Sequence, residues 1–212
     1  MILLFDTSAN RLSIGIADGK GKIAREFHSD ASESERGIHD ARLASETENL
    51  LRSADISIRQ IARIGLIIGP GSFTGLRIGL AFAKGLSFAT DAAIVPLTQH
   101  EVLQFANPEL NGYIVTPGYR PDLFYMAESD SPRDIRLLTG EELMKLTAKP
   151  IVALDKLVAS PAIFSFQEFG TQKFVSLSLA AMARISAESL SPLSGISIDG
   201  IEPLYLTEFK TG

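Results

Sequence analysis

The sequence predicts an α/β protein made of two similar halves, each built of short strands and helices. Three observations carry that expectation. Short apolar runs broken by turn residues open the chain, runs of strand length and helical period then alternate, and the resulting order, βββαβα, begins again after His100.

The elements follow in order. ILLFDT (Ile2 to Thr7), RLSIGIA (Arg11 to Ala17) and KIAREFH (Lys22 to His28) are separated by Ser8-Ala9-Asn10 and Asp18-Gly19-Lys20-Gly21, which predicts an antiparallel three-stranded meander. The polar SDASESERG leads into a helix over Ile38 to Ala54, striped by Ile38, Leu43, Leu50 and Leu51. ARIGLIIG (Ala62 to Gly69) is an apolar run of strand length with isoleucines, as expected of a strand buried on both faces. After the turn GPGSFTG, a helix is predicted from about Thr74 to Thr90.

In the second half GYIVTP, DLFYMAE and DIRLL read as strands, GEELMKLT as a helix and KPIVALD as a strand. FVSLSLAAMARISAESL reads as one final long helix, and Lys156 to Lys173 fits neither period. The expected division is a first lobe over 1–106, joined by a C-terminal segment of about 191–212, and a second lobe over 107–190.

Composition bounds the function. The 212 residues are 45% hydrophobic and 21% charged, enough for a sizeable core. With 20 Lys plus Arg against 25 Asp plus Glu, the net charge of −5 offers no electrostatic footprint for independent nucleic-acid binding. The absence of cysteine removes disulfides, thiolate metal sites and cysteine nucleophiles, and fits a reducing cytoplasm. No basic leader precedes ILLF and no apolar run reaches membrane length, so the expected location is cytoplasmic.

GPGSFTGLRIG, Gly69 to Gly79, raises two readings. A glycine-rich turn between a buried strand and a helix can aim N–H groups at an anion. Yet Leu76-Arg77 stands where a phosphate loop has Lys-Ser, and the spacing is not GxGxxG. Alternatively Ser72 or Thr74 caps the helix and Gly71 supplies a positive φ. Asp6, Thr7 and Ser8, at the end of the first strand, and Gly71 and Ser72 are the weak candidates for holding a phosphate; Asp6 reads first as a turn and strand-end residue bonded locally. The following helix places Gly75, Gly79, Ala83 and Ser87 at every fourth position, a face of little bulk that a neighbouring helix could approach. Leu76, Ile78, Leu80, Phe82, Leu86 and Phe88 cover much of the rest, so something must cover nearly all of it.

LLFDTSANRLSIGIA, GIHDARLASETENLL and above all IGLIIGPGSFTGLRIGLAFAKGLSFATDAAIVPL resemble the TsaB (YeaZ) family, within the TsaD/M22 glycoprotease-like superfamily. The likeness covers about the first hundred residues and returns in IEPLYLTEF. It implies the two-lobed actin-like ATPase (ASKHA) fold of sugar kinases, actin and Hsp70, each lobe built on a mixed β-sheet with helices, and a part in threonylcarbamoylation of adenosine 37 in tRNA. It also implies a non-catalytic scaffold that pairs through its N-terminal lobe with the transferase TsaD and works with the ATPase TsaE. The isolated chain would form a homodimer, tRNA would be contacted only indirectly, and no cofactor is expected.

The family relatives that transfer or bind metal carry HxxxH on a helix after a strand ending in proline. Here VPLTQHEVLQF puts Gln99 and Leu103 at those positions, and leucine ligates nothing. His100 points about 100° away from Gln99 and is expected to be solvated or capping. His39 beside Asp40 is expected to face solvent or a partner, since adjacent helical residues diverge. Gly118-Tyr119-Arg120 occupies the place of a family Asp-Ala-Arg, so a second carboxylate is missing. The expected partner surface comprises Ile38, His39, Arg42, Leu43 and Glu46 on the first helix with Gly75, Arg77, Gly79, Phe82, Ala83, Leu86 and Ser87 on the second. Two other functions remain open: an ATP-dependent kinase-like phosphotransferase of the same fold, and an M22-type metallopeptidase.

Overall fold

The computed structural model describes residues 1–9, 11–29, 39–146, 150–154, 172–189 and 198–206. They form two compact units, Met1–Leu97 with Leu179–Pro203 and Thr98–Ser178 with Leu204–Gly212.

In the first unit, β1 (Ile2–Asp6), β2 (Leu12–Ala17) and β3 (Ile23–Ser29) form the expected meander, followed by α1 (His39–Ser53), β4 (Arg63–Gly69), α2 (Phe73–Thr90) and β5 (Ala93–Thr98). A single 3-10 turn at Ile58–Gln60, closed by a Ser57/Gln60 capping box, leads into β4. The sheet order is β3-β2-β1-β4-β5. β1 pairs antiparallel with β2 and parallel with β4. All five residues of β1 are buried.

Alternation along β1 and β2 separates two packed faces. Leu3, Phe5, Leu12, Ile14 and Ile16 cluster with Leu43, Leu50 and Leu51 of α1 and Leu80 and Ala83 of α2. On the other face lies α5 (Leu179–Glu188), where Gly15 approaches Leu179 and Gly65 approaches Ser186.

The second unit repeats the plan with α3 (Gln99–Ala106), β6 (Tyr113–Pro117), β7 (Leu123–Glu128), β8 (Arg136–Thr139), α4 (Gly140–Met144), β9 (Ile151–Leu154) and β10 (Gln172–Val175). Its order, β10-β9-β6-β7-β8, is the first sheet's order read from the other edge: the first strand of each half is central. Tyr113, Val115, Phe124 and Met126 pack with Leu143 of α4. On the opposite face Leu103 of α3 packs with Ile114 and Val152.

Four expectations are corrected. Phe174 and Val175 do not open the last helix but pair in parallel with Ala153 and Leu154 as the edge strand β10, and α5 starts only at Leu179. α3, expected in the first lobe, belongs to the second because Leu103 is part of that sheet's core. α5, expected in the second, belongs to the first, packing on β1 to β4. The C-terminal segment divides: Ile201 joins the first core, whereas Leu204 and Leu206 pack against the cluster of Tyr125 and Ala127.

Candidate functional site

The candidate residues at the end of β1 and in the turn after β4 come together and bond chiefly to one another. Asp6 Oδ1 accepts from the Ser8 amide at 2.9 Å and also from the Ser8 hydroxyl. The Ser72 amide donates to Ser8 O at 2.7 Å, and Thr7 Oγ1 donates to Gly75 O at 2.7 Å. Ser72 is the N-cap of α2, its hydroxyl accepting from the Gly75 amide at 3.2 Å. Two amides that an anion would need are therefore occupied within the protein, and the capping reading prevails.

The glycines serve close approach. A β-carbon on Gly71 would overlap Ser8 O, one on Gly75 would overlap Thr7 O, and one on Gly79 would overlap Thr7 Oγ1. The positive φ of this turn, +141°, is at Gly69, before the cis Gly69–Pro70 bond, and not at Gly71 as expected. Asp6 keeps its expected role as a locally bonded strand-end residue.

The small-residue stripe also faces inward. Gly75, Gly79, Ala83 and Ser87 are all buried, Ala83 completely, and Ser87 donates to Ala92 O at 2.6 Å. Leu43 of α1 is buried in the same core. These five residues are therefore not available as partner surface: the stripe lets α2 lie close on its own sheet. Arg42 sits over the Phe27 ring, 5.8 Å from its centroid, and lies 3.7 Å from Glu46. Ile38 and the side chain of His39 lie outside the described residues.

Of the expected interface residues on α2, Arg77 is exposed and Phe82 and Leu86 are half-buried. The outward face that sequence reasoning missed adds Phe73, Ala81, Gly85 and Phe88. Phe88 is 89% exposed and Phe73 47%, with the Arg77 guanidinium 3.8 Å from the Phe73 centroid. Nothing lies within 4 Å of a β-carbon built on Gly85. At 100° per residue Arg77, Ala81, Gly85 and Phe88 fall within about one quarter-turn, giving a flat centre beside an aromatic. Among the described residues Phe88 is the most exposed large hydrophobic side chain.

At the other sequence candidate, Gln99 and Leu103 are both buried, Leu103 in the core with Ile114 and Val152. His100 is not solvated. It is fully buried, Nε2 lies 3.2 Å from Tyr125 O, and burial pushes its pKa down to about 4 despite that bond. A carbonyl only accepts, so Nε2 carries the hydrogen and the ring is neutral.

A cross-strand pair escaped sequence analysis. His28 Nδ1 lies 2.9 Å from Ser13 Oγ, with Glu26 Oε2 3.8 Å from Nε2. Ser13 is also in register with Asp6. A carboxylate beside the hydroxyl opposes the negative charge of an acyl-transfer intermediate, so the pair reads as a strand-to-strand bond. Only knowledge of the register could have joined positions fifteen apart.

Comparison with known proteins shows what the chain is similar to. The family model described as TsaD: tRNA N6-adenosine threonylcarbamoyltransferase matches residues 33–119. The tRNA threonylcarbamoyladenosine biosynthesis protein TsaB of Haemophilus influenzae is 26% identical over 52% of this chain and 44% of its own length. YeaZ from Pseudomonas aeruginosa superposes with a TM-score of 0.69 at 18% identity, over 97% of this chain and 99% of that one. The chain is thus similar in sequence to TsaB over about half of its length and shares the fold of YeaZ. Sequence likeness extends to TsaD as well: the tRNA N6-adenosine threonylcarbamoyltransferase of Thermosipho africanus is 27% identical over 71% of this chain and 47% of its own length. The chain spans about half the length of these curated relatives or less. Its fold is of the expected ASKHA type. Among the described residues, no helix is long and apolar enough to cross a membrane.

Proposed function

We propose that this chain takes part in forming N6-threonylcarbamoyladenosine at tRNA position 37 as a non-catalytic partner of TsaD, with TsaE completing the assembly. The observation that carries the reading is α3. In the position where the family resemblance places a metal-binding histidine, Leu103 is instead a core residue packed on Ile114 and Val152, and Gln99 is buried beside it. A site that has become core cannot present ligands to a substrate-bound metal. The occupied amides around Ser72 and Gly75 weigh in the same direction against phosphate chemistry in the first unit.

The partner surface is the outward face of α2: Phe73, Arg77, Ala81, Gly85 and Phe88, flanked by Phe82 and Leu86. Its aromatic edge can anchor in a pocket of TsaD, and the Ala81–Gly85 floor lets another backbone come close. In the absence of TsaD the same apolar face supports a homodimer. The test is reconstitution with TsaD and TsaE from the same organism and unmodified tRNA. Modification that needs the chain, while the chain alone neither hydrolyses ATP nor holds stoichiometric metal, supports the reading. Modification at full rate without it contradicts the reading.

A further inference from the structure

Three polar atoms in the layer between α3 and β6 are buried and, among the described residues, have no hydrogen-bond partner: His100 Nδ1, Gln104 Oε1 and Thr116 Oγ1. His100 and Gln104 are one helical turn apart and share a face of α3. Thr116 is paired across the sheet with Tyr125, whose carbonyl His100 Nε2 engages at 3.2 Å. Thr116 also shares its side of β6 with Ile114, the residue that packs on α3. His100 and Thr116 are wholly buried.

Unpaired polar atoms at this depth are costly, and three on one layer call for a common partner. With Nε2 carrying the hydrogen, Nδ1 is an acceptor; Gln104 Oε1 is a second acceptor; the Thr116 hydroxyl can donate. A buried cation would meet no compensating carboxylate among these groups, whereas a neutral molecule with two donors and an acceptor matches all three. We propose that His100, Gln104 and Thr116 form an internal binding site for a water molecule, which donates to His100 Nδ1 and Gln104 Oε1 and accepts from Thr116. Water in such a site makes about three hydrogen bonds and is part of the fold. It would fix the His100 ring and tie α3 to β6 where aliphatic packing by Leu103 leaves off.

Thr116→Val in the full chain separates a hydrated layer from a dry one by sign. If the layer is dry, the methyl removes an unsatisfied hydroxyl and Tm rises. If water is bound, it loses a partner and Tm falls, by about 2–4 °C for a chain of this size. Nuclear Overhauser contacts from solvent to the His100 ring protons give the second measurement. A lower Tm together with a long-lived water contact at His100, weakened in Thr116→Val, is the expected result. An unchanged or higher Tm, or no water contact in the wild-type protein, overturns the site.

Discussion

Thr7 Oγ1 donates to the carbonyl oxygen of Gly75 at 2.7 Å and so binds the end of β1 to the first turn of α2. The Ser72 amide makes the complementary bond to Ser8 O. The diagnostic glycine string is therefore a clamp between a central strand and a helix, and its small residues exist because the helix backbone comes so near.

Gly75→Ala tests the clamp. Its methyl would meet the Thr7 carbonyl oxygen, which cannot rotate away, so the expected cost is about 1–3 kcal/mol or more in urea unfolding. Gly85→Ala, on the same helix with open space around it, is expected to stabilise the isolated chain by about 0.5–1 kcal/mol. Equal effects of the two substitutions would contradict the clamp.

Ala83→Arg distinguishes inward from outward on α2. Ala83 is fully buried against the first sheet, so arginine there overpacks the core and buries a charge, and the expected outcome is loss of folding cooperativity or a sharply lower Tm. A variant that melts as wild type would place the stripe on the surface after all.

His100 predicts a pH dependence. Its pKa is depressed from 6.5 to about 4 in the folded chain, so below about pH 6.5 the unfolded chain takes up a proton that the folded chain refuses. Stability is fully present above that pH and is lost as pH falls toward 4, by about 2 kcal/mol between pH 7.5 and 5 from this group alone. His100→Gln, neutral in both states, should show a correspondingly smaller loss in urea titrations at the two pH values. An unchanged pH profile would mean that His100 is not held neutral.

Net charge sets the expectation for RNA. At −5 and with no basic stripe in the sequence, the isolated chain should bind tRNA weakly at physiological salt, with a shallow dependence on salt concentration. Filter binding or fluorescence anisotropy across a salt series checks it, and tight, steeply salt-dependent binding would be the contrary result.

Much of the fold was legible because the strands announce themselves. Ile2 to Phe5 and Ile64 to Gly69 are apolar without interruption, and both strands are largely buried. The N-cap at Ser72 followed from residue type alone. What α2 faces was not legible, since a helix apolar nearly all round has no wheel asymmetry to read: the small stripe proved to be core and Phe88 surface. The edge strand β10 was hidden because Phe174 and Val175 run without a breaker into the apolar sequence of α5. Burial of His100 was equally hidden, because its partner is a backbone carbonyl 25 residues away. The exchange of α3 and α5 between units is a property of long-range packing that no local pattern encodes.

Phe88→Asp probes the proposed contact between the outward face of α2 and TsaD. Phe88 is 89% exposed, so aspartate there costs the isolated fold little. In a partner's pocket the same change removes an aromatic anchor and buries a charge, worth about 2 kcal/mol or more of binding. The measurement is the Kd for TsaD of wild type and Phe88→Asp, with Tm recorded for both. An unchanged Tm with affinity lowered at least about thirtyfold is the predicted result. An unchanged Tm with unchanged affinity would contradict it.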